Sequence, residues 1–250
     1  MIEIEHLTRK FGDFVAVDDL CLTVPAGELF CFLGPNGAGK TTTIKILTGL
    51  LRPTSGETRL GGIDIQRNPV AAKRLIGYIP DMPYLYDRLT PTEFFMFTGD
   101  LYGMARDTVI HRRDELFDLF GLLEYGNALV KELSHGMRQR LIYASTFLHE
   151  PRVLFIDEPL IGLDPYTIKL IKQLLIRRAR SGMTIFLTTH ILPVAADVAD
   201  RIGIIHNGRL IALGSLPSLL EQNGADTLED VFLKLTGKDE HTWVDSPHLR

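Results

Sequence analysis

The sequence predicts an α/β protein built on a mostly parallel sheet, with an antiparallel β layer at its N-terminus and an inserted helical sub-domain. Three observations predict it. The first thirty residues alternate apolar and polar positions, as in "IEIEHL" and "VAVDDLCLTV", which suits half-buried antiparallel strands. Further on, short apolar runs alternate with helix-period segments, and strand–helix–strand alternation implies parallel strands covered by helices. Between two such runs, residues 82–150 read as helices and turns with Phe94, Phe95, Phe97 and Tyr102 close together.

In chain order, "PAGE" (25–28) is a turn and "LFCFL" (29–33) is a strand apolar on both faces, as in a sheet buried between helices. It runs into "GPNGAGK" and a helix "TTTIKILTGLL", closed by "RPTSGE". A short strand at "TRLGGIDI", a helix "VAAKRLIG" and a strand "YIP" follow. Strands return at "RVLFID" (152–157), "MTIFLTT" (183–189) and "RIGIIHNG" (201–208), separated by helical segments such as Ile168, Ile171, Leu174 and Leu175. Residues 227–237 form a short amphipathic helix, with Thr227 and Asp230 in a capping-box arrangement and Gly237 at its end. The domain is expected to span 1–220, with the helical sub-domain at about 82–150 inside it. Residues 221–250 are expected to hold the C-terminal helix and a mobile polar tail.

Composition narrows the function classes. The chain has 250 residues, 45% apolar and 23% charged, and a net charge of −4, so no basic excess points to nucleic acid. The clusters "HRRDE" (111–115) and "IRRAR" (176–180) read as solvated helix faces. Cys21 and Cys31 both lie in apolar strand-like runs and read as reduced core residues of a cytosolic protein. The N-terminus carries no signal-peptide pattern. No apolar run approaches the roughly 20 residues that cross a bilayer.

Gly34, Pro35, Asn36, Gly37, Ala38, Gly39, Lys40 and Thr41 match G-x-x-x-x-G-K-[ST], the P-loop, and make the core that of a P-loop NTPase. Glycines let the backbone wrap a phosphate, and successive N–H groups at a helix N-terminus form an anion nest. Lys40 then reaches the β and γ phosphates of a nucleotide, and the Thr41 hydroxyl holds Mg²⁺. In "RVLFIDEP" a buried strand ends in two carboxylates. Asp157 fits a Mg²⁺-binding role, and Glu158 fits the residue that orients and polarises attacking water.

These motifs stand in a fixed order with four others: "GYIPD" (77–81), "LSHGM" (133–137) and, after "VLFIDEP", "GLDP" (162–165) and "TTH" (188–190). Over about residues 1–220 the chain resembles the nucleotide-binding subunit of ATP-binding-cassette (ABC) transporters. The resemblance implies that Phe11 stacks on adenine, with Phe14 as its competitor, and that Thr42 contacts the α-phosphate. It implies that Asp81 lies near Mg²⁺ and the attacking water, and that His190 contacts the γ-phosphate. Ser134, His135 and Gly136 would close over the ATP of a second copy of the chain, and Asp164 would act across the same interface. The implied assembly is a head-to-tail homodimer with ATP between the subunits. Its implied partner is a separate transmembrane permease, which places the chain peripherally on the cytoplasmic face of the cell membrane. The C-terminal stretch resembles subunits serving exporters of drugs, lipids or polysaccharides. The Phe-rich insertion is a candidate docking surface, although its aromatics suit a core equally well.

The chain departs from the family pattern in four places. Asp81 stands where Gln is usual, Ile161 where a small polar residue is common, and His135 and Met137 where Gly and Gln are usual. A soluble ABC-type ATPase of the iron–sulfur assembly kind is the alternative reading. A non-hydrolysing, ATP-gated module ranks last because Lys40, Glu158 and His190 are all present.

Overall fold

The computed structural model describes residues 1–82, 84–158 and 163–237. The C-terminal tail from residue 238 onward, together with Ile161 and Gly162, lies outside the described residues.

The expected two β layers are present. In the first, β1 (Ile2–Phe11) and β2 (Phe14–Val24) pair antiparallel, with Ile2 opposite Val24 and Phe11 opposite Phe14. Their inward residues, among them Ile4, Leu7, Val17, Leu20 and Leu22, are buried in one cluster. The single strand expected at "TRLGGIDI" is two: β4 (Ser55–Leu60) and β5 (Ile63–Asp64) fold back at Gly61 and Gly62, both at positive φ. The order is β2-β1-β4-β5, and a short helix, α2 (Pro69–Lys73), follows β5. Cys21 is not a core residue. It lies between buried Leu20 and Leu22, so the two-residue period of β2 turns its side chain to solvent. Cys31 is buried as expected.

The second sheet contains β3 (Leu29–Leu33), β6 (Ile76–Ile79), β7 (Val153–Asp157), β8 (Thr184–Thr189), β9 (Arg201–His206) and β10 (Arg209–Gly214). Its order is β10-β9-β3-β8-β7-β6, parallel except for β10. Register aligns the strand ends: Leu33 pairs Thr189 and Asp157 pairs Thr188. The inner face stacks Phe30, Phe32, Phe155 and Phe186, with Phe186 centred 5.2–5.8 Å from the others. Those rings bury against the first β layer and helix α1 (Lys40–Leu47). The opposite face alternates to Leu154, Ile156, Ile185 and Leu187, which pack on helix α6 (Pro165–Arg180) and the helical insertion.

That insertion holds α3 (Pro91–Leu101), α4 (Arg106–Phe120) and α5 (His135–Phe147). Thr90 and Glu93 form a reciprocal cap on α3: the Thr90 hydroxyl accepts the Glu93 N–H, and the Glu93 carboxylate accepts the Thr90 N–H. Gly99 lets α4 approach, since a Cβ there would lie 2.3 Å from a Val109 methyl. The aromatic group divides. Phe95 is buried and meets Phe117 edge to face at 4.8 Å, whereas Phe97 and Tyr102 are exposed. Phe95→Ala is expected to destabilise the chain by about 3–5 kcal/mol, the usual cost of emptying a core aromatic site; a denaturant midpoint unmoved by it would refute that. The basic clusters are partly tethered: Arg112 pairs with Glu150 and donates to Phe147 O, and Arg178 lies over the Phe147 ring.

After β9, Asn207 and Gly208, both at positive φ, turn the chain into β10. Helix α7 (Leu192–Val198) precedes β9, and α8 (Leu216–Asn223) follows β10. Helix α9 (Leu228–Thr236) carries the expected Thr227–Asp230 capping box. Residue 220, the expected domain boundary, lies inside α8. Leu219, Leu228 and Val231 pack on Cys31, Leu33, Ile202 and Ile204 of the central sheet.

Candidate functional site

The loop between β3 and α1 is held close to its neighbours by glycine. A Cβ at Gly34 would stand 2.4 Å from Ile205 O, and one at Gly39 2.4 Å from Ala16 O. Gly39 sits at φ +108 and caps α1 without a side-chain bond, and no acidic residue occupies the first turn. The first N–H groups of the helix therefore face the loop with a favourable dipole for an anion. Gly37, at φ +80, would present an added Cβ to open space. The Lys40 side chain is 6% exposed, and its Nζ donates to Gly34 O at 2.7 Å and Pro35 O at 3.1 Å.

Strands β7 and β8 deliver the acidic groups. Asp157 is buried, 1% exposed, and its carboxylate accepts the Thr188 hydroxyl, a donor the sequence reading overlooked although it begins "TTH". Glu158 follows at φ +52, a left-handed conformation costing a non-glycine residue about 1–3 kcal/mol. Three contacts hold it there. Its N–H donates to Thr188 O at 3.1 Å, its Oε2 accepts the His190 N–H at 3.3 Å, and its Oε1 lies 3.0 Å from His190 Nδ1. The same Oε1 is 3.5 Å from Lys40 Nζ. Strain at this carboxylate is thus offset by a local network that fixes its direction.

A cleft of about 280 Å³ opens over the loop. Asn36, Gly37, Gly39, Lys40, Thr41, Thr42, Asp81 and Glu158 line it on the polar side. Burial pushes the Asp81 carboxyl above its usual range, and the Asp157 and Glu158 carboxylates add to the effect. Phe11 and Phe14 line the apolar side at the tip of the β1–β2 hairpin, 47% and 62% exposed. The Arg9 guanidinium lies 4.4 Å from the Phe11 ring centre. Gly34, Pro35 and Ala38 form the loop behind this lining, and the His190 imidazole reaches it through Glu158.

Ser134, His135, Gly136 and Asp164 do not line the cleft. They form a second group. Ser134 caps α5, its hydroxyl accepting the Met137 N–H at 3.3 Å, and His135 is exposed at the first turn. Asp164 caps α6 by accepting the Thr167 N–H and hydroxyl at 3.0 and 2.6 Å. The Thr167 hydroxyl bond and then its N–H bond hold the Asp164 carboxyl below its usual range. The two caps are neighbours, since a Cβ on Gly136 would lie 3.4 Å from Asp164 Oδ2. One chain therefore carries the glycine-rich loop with its cleft and, outside that cleft, two adjacent helix N-termini.

Residues 17–161 match the ABC transporter family. The chain belongs to that family. A probable multidrug ABC transporter ATP-binding protein of Escherichia coli, YbhF, is 37% identical over 99% of this chain and 43% of its own length. The daunorubicin/doxorubicin resistance ATP-binding protein DrrA of Streptomyces peucetius is 39% identical over 91% of this chain and 69% of its own. The chain thus spans less than half of the Escherichia coli relative. Among solved structures, the ATP-binding subunit of an ABC transporter superposes with a TM-score of 0.88 at 32% identity, covering 94% of this chain and 99% of that one. A dimeric bacterial ABC transporter cassette, MJ0796, gives 0.79 at 26% identity, covering 86% and 99%.

As an ABC ATPase domain the chain includes both β layers and the helical insertion in the shared fold, and the three departures among the described residues are locally accommodated. Met137, in place of Gln, is partly buried and packs on the helical core. His135 projects into solvent. Asp81, in place of Gln, stays on the cleft wall facing Glu158.

Proposed function

We propose that this chain is the ATP-binding and ATP-hydrolysing subunit of an ABC exporter, working as a head-to-tail homodimer beneath a separate transmembrane permease. The observation that carries the proposal is the Glu158 carboxylate, held between Lys40 and His190 beside a glycine cradle, in a chain whose Ser134–Asp164 group lies outside that cleft. Among the described residues no helix is long and apolar enough to cross a membrane, so a channel has to come from another polypeptide or region. The multidrug-transporter and drug-resistance names of the relatives support export. We place the chain peripherally on the cytoplasmic face of the membrane.

In this reading the N–H groups of residues 37–42 and the Lys40 ammonium bind the phosphates, and Thr42 contacts the α-phosphate. Phe11, with Phe14 beside it, covers adenine. The oxygen donors of Thr41, Asp157 and Asp81 fit Mg²⁺, a hard cation that prefers hydroxyl and carboxylate oxygen; buried Asp157, with one lone-pair direction taken by Thr188, supports that fit. When bound, Mg²⁺ neutralises charge developing between the β and γ phosphates. Glu158 accepts the proton of the attacking water, oriented by His190, which also faces the γ-phosphate. Ser134, His135 and Gly136 present the α5 N-terminus to the partner's γ-phosphate, and Asp164 positions them across the interface.

The experiment is a mixed dimer. Lys40→Ala and Ser134→Arg chains are co-expressed with different tags, and only assemblies carrying both are isolated. Each variant alone is expected to be inactive. The mixed dimer combines an intact cradle from one chain with an intact cap from the other and should recover up to about half of parental turnover, one site of two. Mixed assemblies as inactive as their parents would overturn the shared site.

A further inference from the structure

On the outer face of the first β layer, away from the cleft, His6, Asp19 and Cys21 meet in a way the ATPase reading does not use. We propose that these three residues form a binding site for a zinc-class divalent transition-metal ion. Among the described residues they are the only group of three His, Cys, Asp or Glu side chains whose ligand atoms all lie within 4.8 Å of one another.

The backbone brings them together. His6 lies in the β1–β2 register shift between Ile4 and Leu7 and Asp19 in the next one, between Leu7 and Arg9, so the two flank the Leu7–Leu20 pair, at φ +49 and +52. The His6 N–H donates to Cys21 Sγ at 3.3 Å, which holds the sulfur beside the His6 backbone. His6 Nδ1 is then 2.8 Å from Asp19 Oδ1 and 3.6 Å from Cys21 Sγ.

The pattern is that of a chelate and not of a proton relay. A relay needs the two imidazole nitrogens to face different partners, whereas here one nitrogen faces both the carboxylate and the thiol. Imidazole, thiolate and carboxylate form a mixed nitrogen–sulfur–oxygen donor set that suits zinc. Tetrahedral bonds of about 2.05 Å to nitrogen and 2.3 Å to sulfur put those atoms about 3.6 Å apart, the spacing already present. The nitrogen–oxygen edge would have to open to about 3.3 Å, a small rotation for the exposed Asp19 side chain. Binding releases the Cys21 proton to solvent, and water completes the fourth position. The ion would tie β1 to β2 at their irregular point. Buried Cys31 does not compete for it.

Nucleotide-free protein is titrated with Co²⁺ and then with Zn²⁺. One equivalent of Co²⁺ should produce thiolate-to-cobalt charge-transfer absorption and tetrahedral ligand-field bands, which Zn²⁺ then bleaches. Zn²⁺ should also raise the unfolding midpoint of the parent. Cys21→Ser should lose the charge-transfer band and the stabilisation together. His6→Ala should weaken binding by at least the ~10–100-fold that loss of an outer-shell partner costs a metal site. Absence of a one-equivalent thiolate band would overturn the proposal, as would parental binding by Cys21→Ser and His6→Ala.

Discussion

Glu158→Gln is expected to lower ATP turnover by about 10²–10⁴-fold, the usual contribution of a general base, while ATP still drives dimer formation. The amide keeps the size of the carboxylate and its bond to the His190 N–H, so the left-handed backbone at residue 158 should hold. It cannot take a proton from water. It also removes a negative charge 3.5 Å from Lys40 Nζ, which frees that ammonium for phosphate. Binding should thus be preserved or tightened as chemistry stops, and the ATP-bound dimer should accumulate. Phosphate release measured beside size-exclusion chromatography with ATP separates the two effects. Parental turnover in Glu158→Gln would sink the assignment of the base.

The loss should not be rescued from elsewhere in the cleft. Asp81 is the other carboxylate lining the cleft, and burial with Asp157 and Glu158 as neighbours already pushes its carboxyl up. It lacks the paired grip of His190 and Lys40 that fixes the direction of Glu158. Placement distinguishes the two acids more than acidity does.

How much of this was legible beforehand differs by residue. "LFCFL" and "VLFIDEP" were readable as buried parallel strands because both faces are apolar, and their C-terminal ends align through register as such a sheet requires. The cradle was readable because close packing against Ile205 O and Ala16 O leaves room for glycine alone. Strand β10 escaped because its residues alternate only between half-buried and exposed at the sheet edge, although Asn207–Gly208 carried a hairpin signal. Cys21 was misread because an apolar neighbourhood in sequence is not a face; the pleat separates it from Leu20 and Leu22. Phe11 and Phe14 could not be ranked, and the fold explains why: they are opposite residues of one hairpin tip, and both line the cleft. The His6–Asp19–Cys21 group was invisible in the sequence because two left-handed residues in successive register shifts, neither of them glycine, bring it together.

Lys40→Ala is expected to weaken ATP binding by about 10–150-fold, and to lose turnover as well. The estimate follows from charge-assisted hydrogen bonds worth about 1.5–3 kcal/mol, at about 1.4 kcal/mol per tenfold. Nearly the whole side chain is enclosed, so its ammonium acts on phosphate with little solvent screening. The same burial complicates the variant. Lys40 Nζ also satisfies Gly34 O and Pro35 O, so removing it takes away bonds that brace the loop. Lys40→Met separates the two contributions, because it keeps the apolar stem and loses only the charge and the donors. If the charge carries the binding, Met and Ala should be equally deficient by calorimetry, and Met should fold the more stably of the two. Affinity restored by Met would instead assign Lys40 to packing, and unchanged affinity in both variants would remove the phosphate role from the cradle altogether.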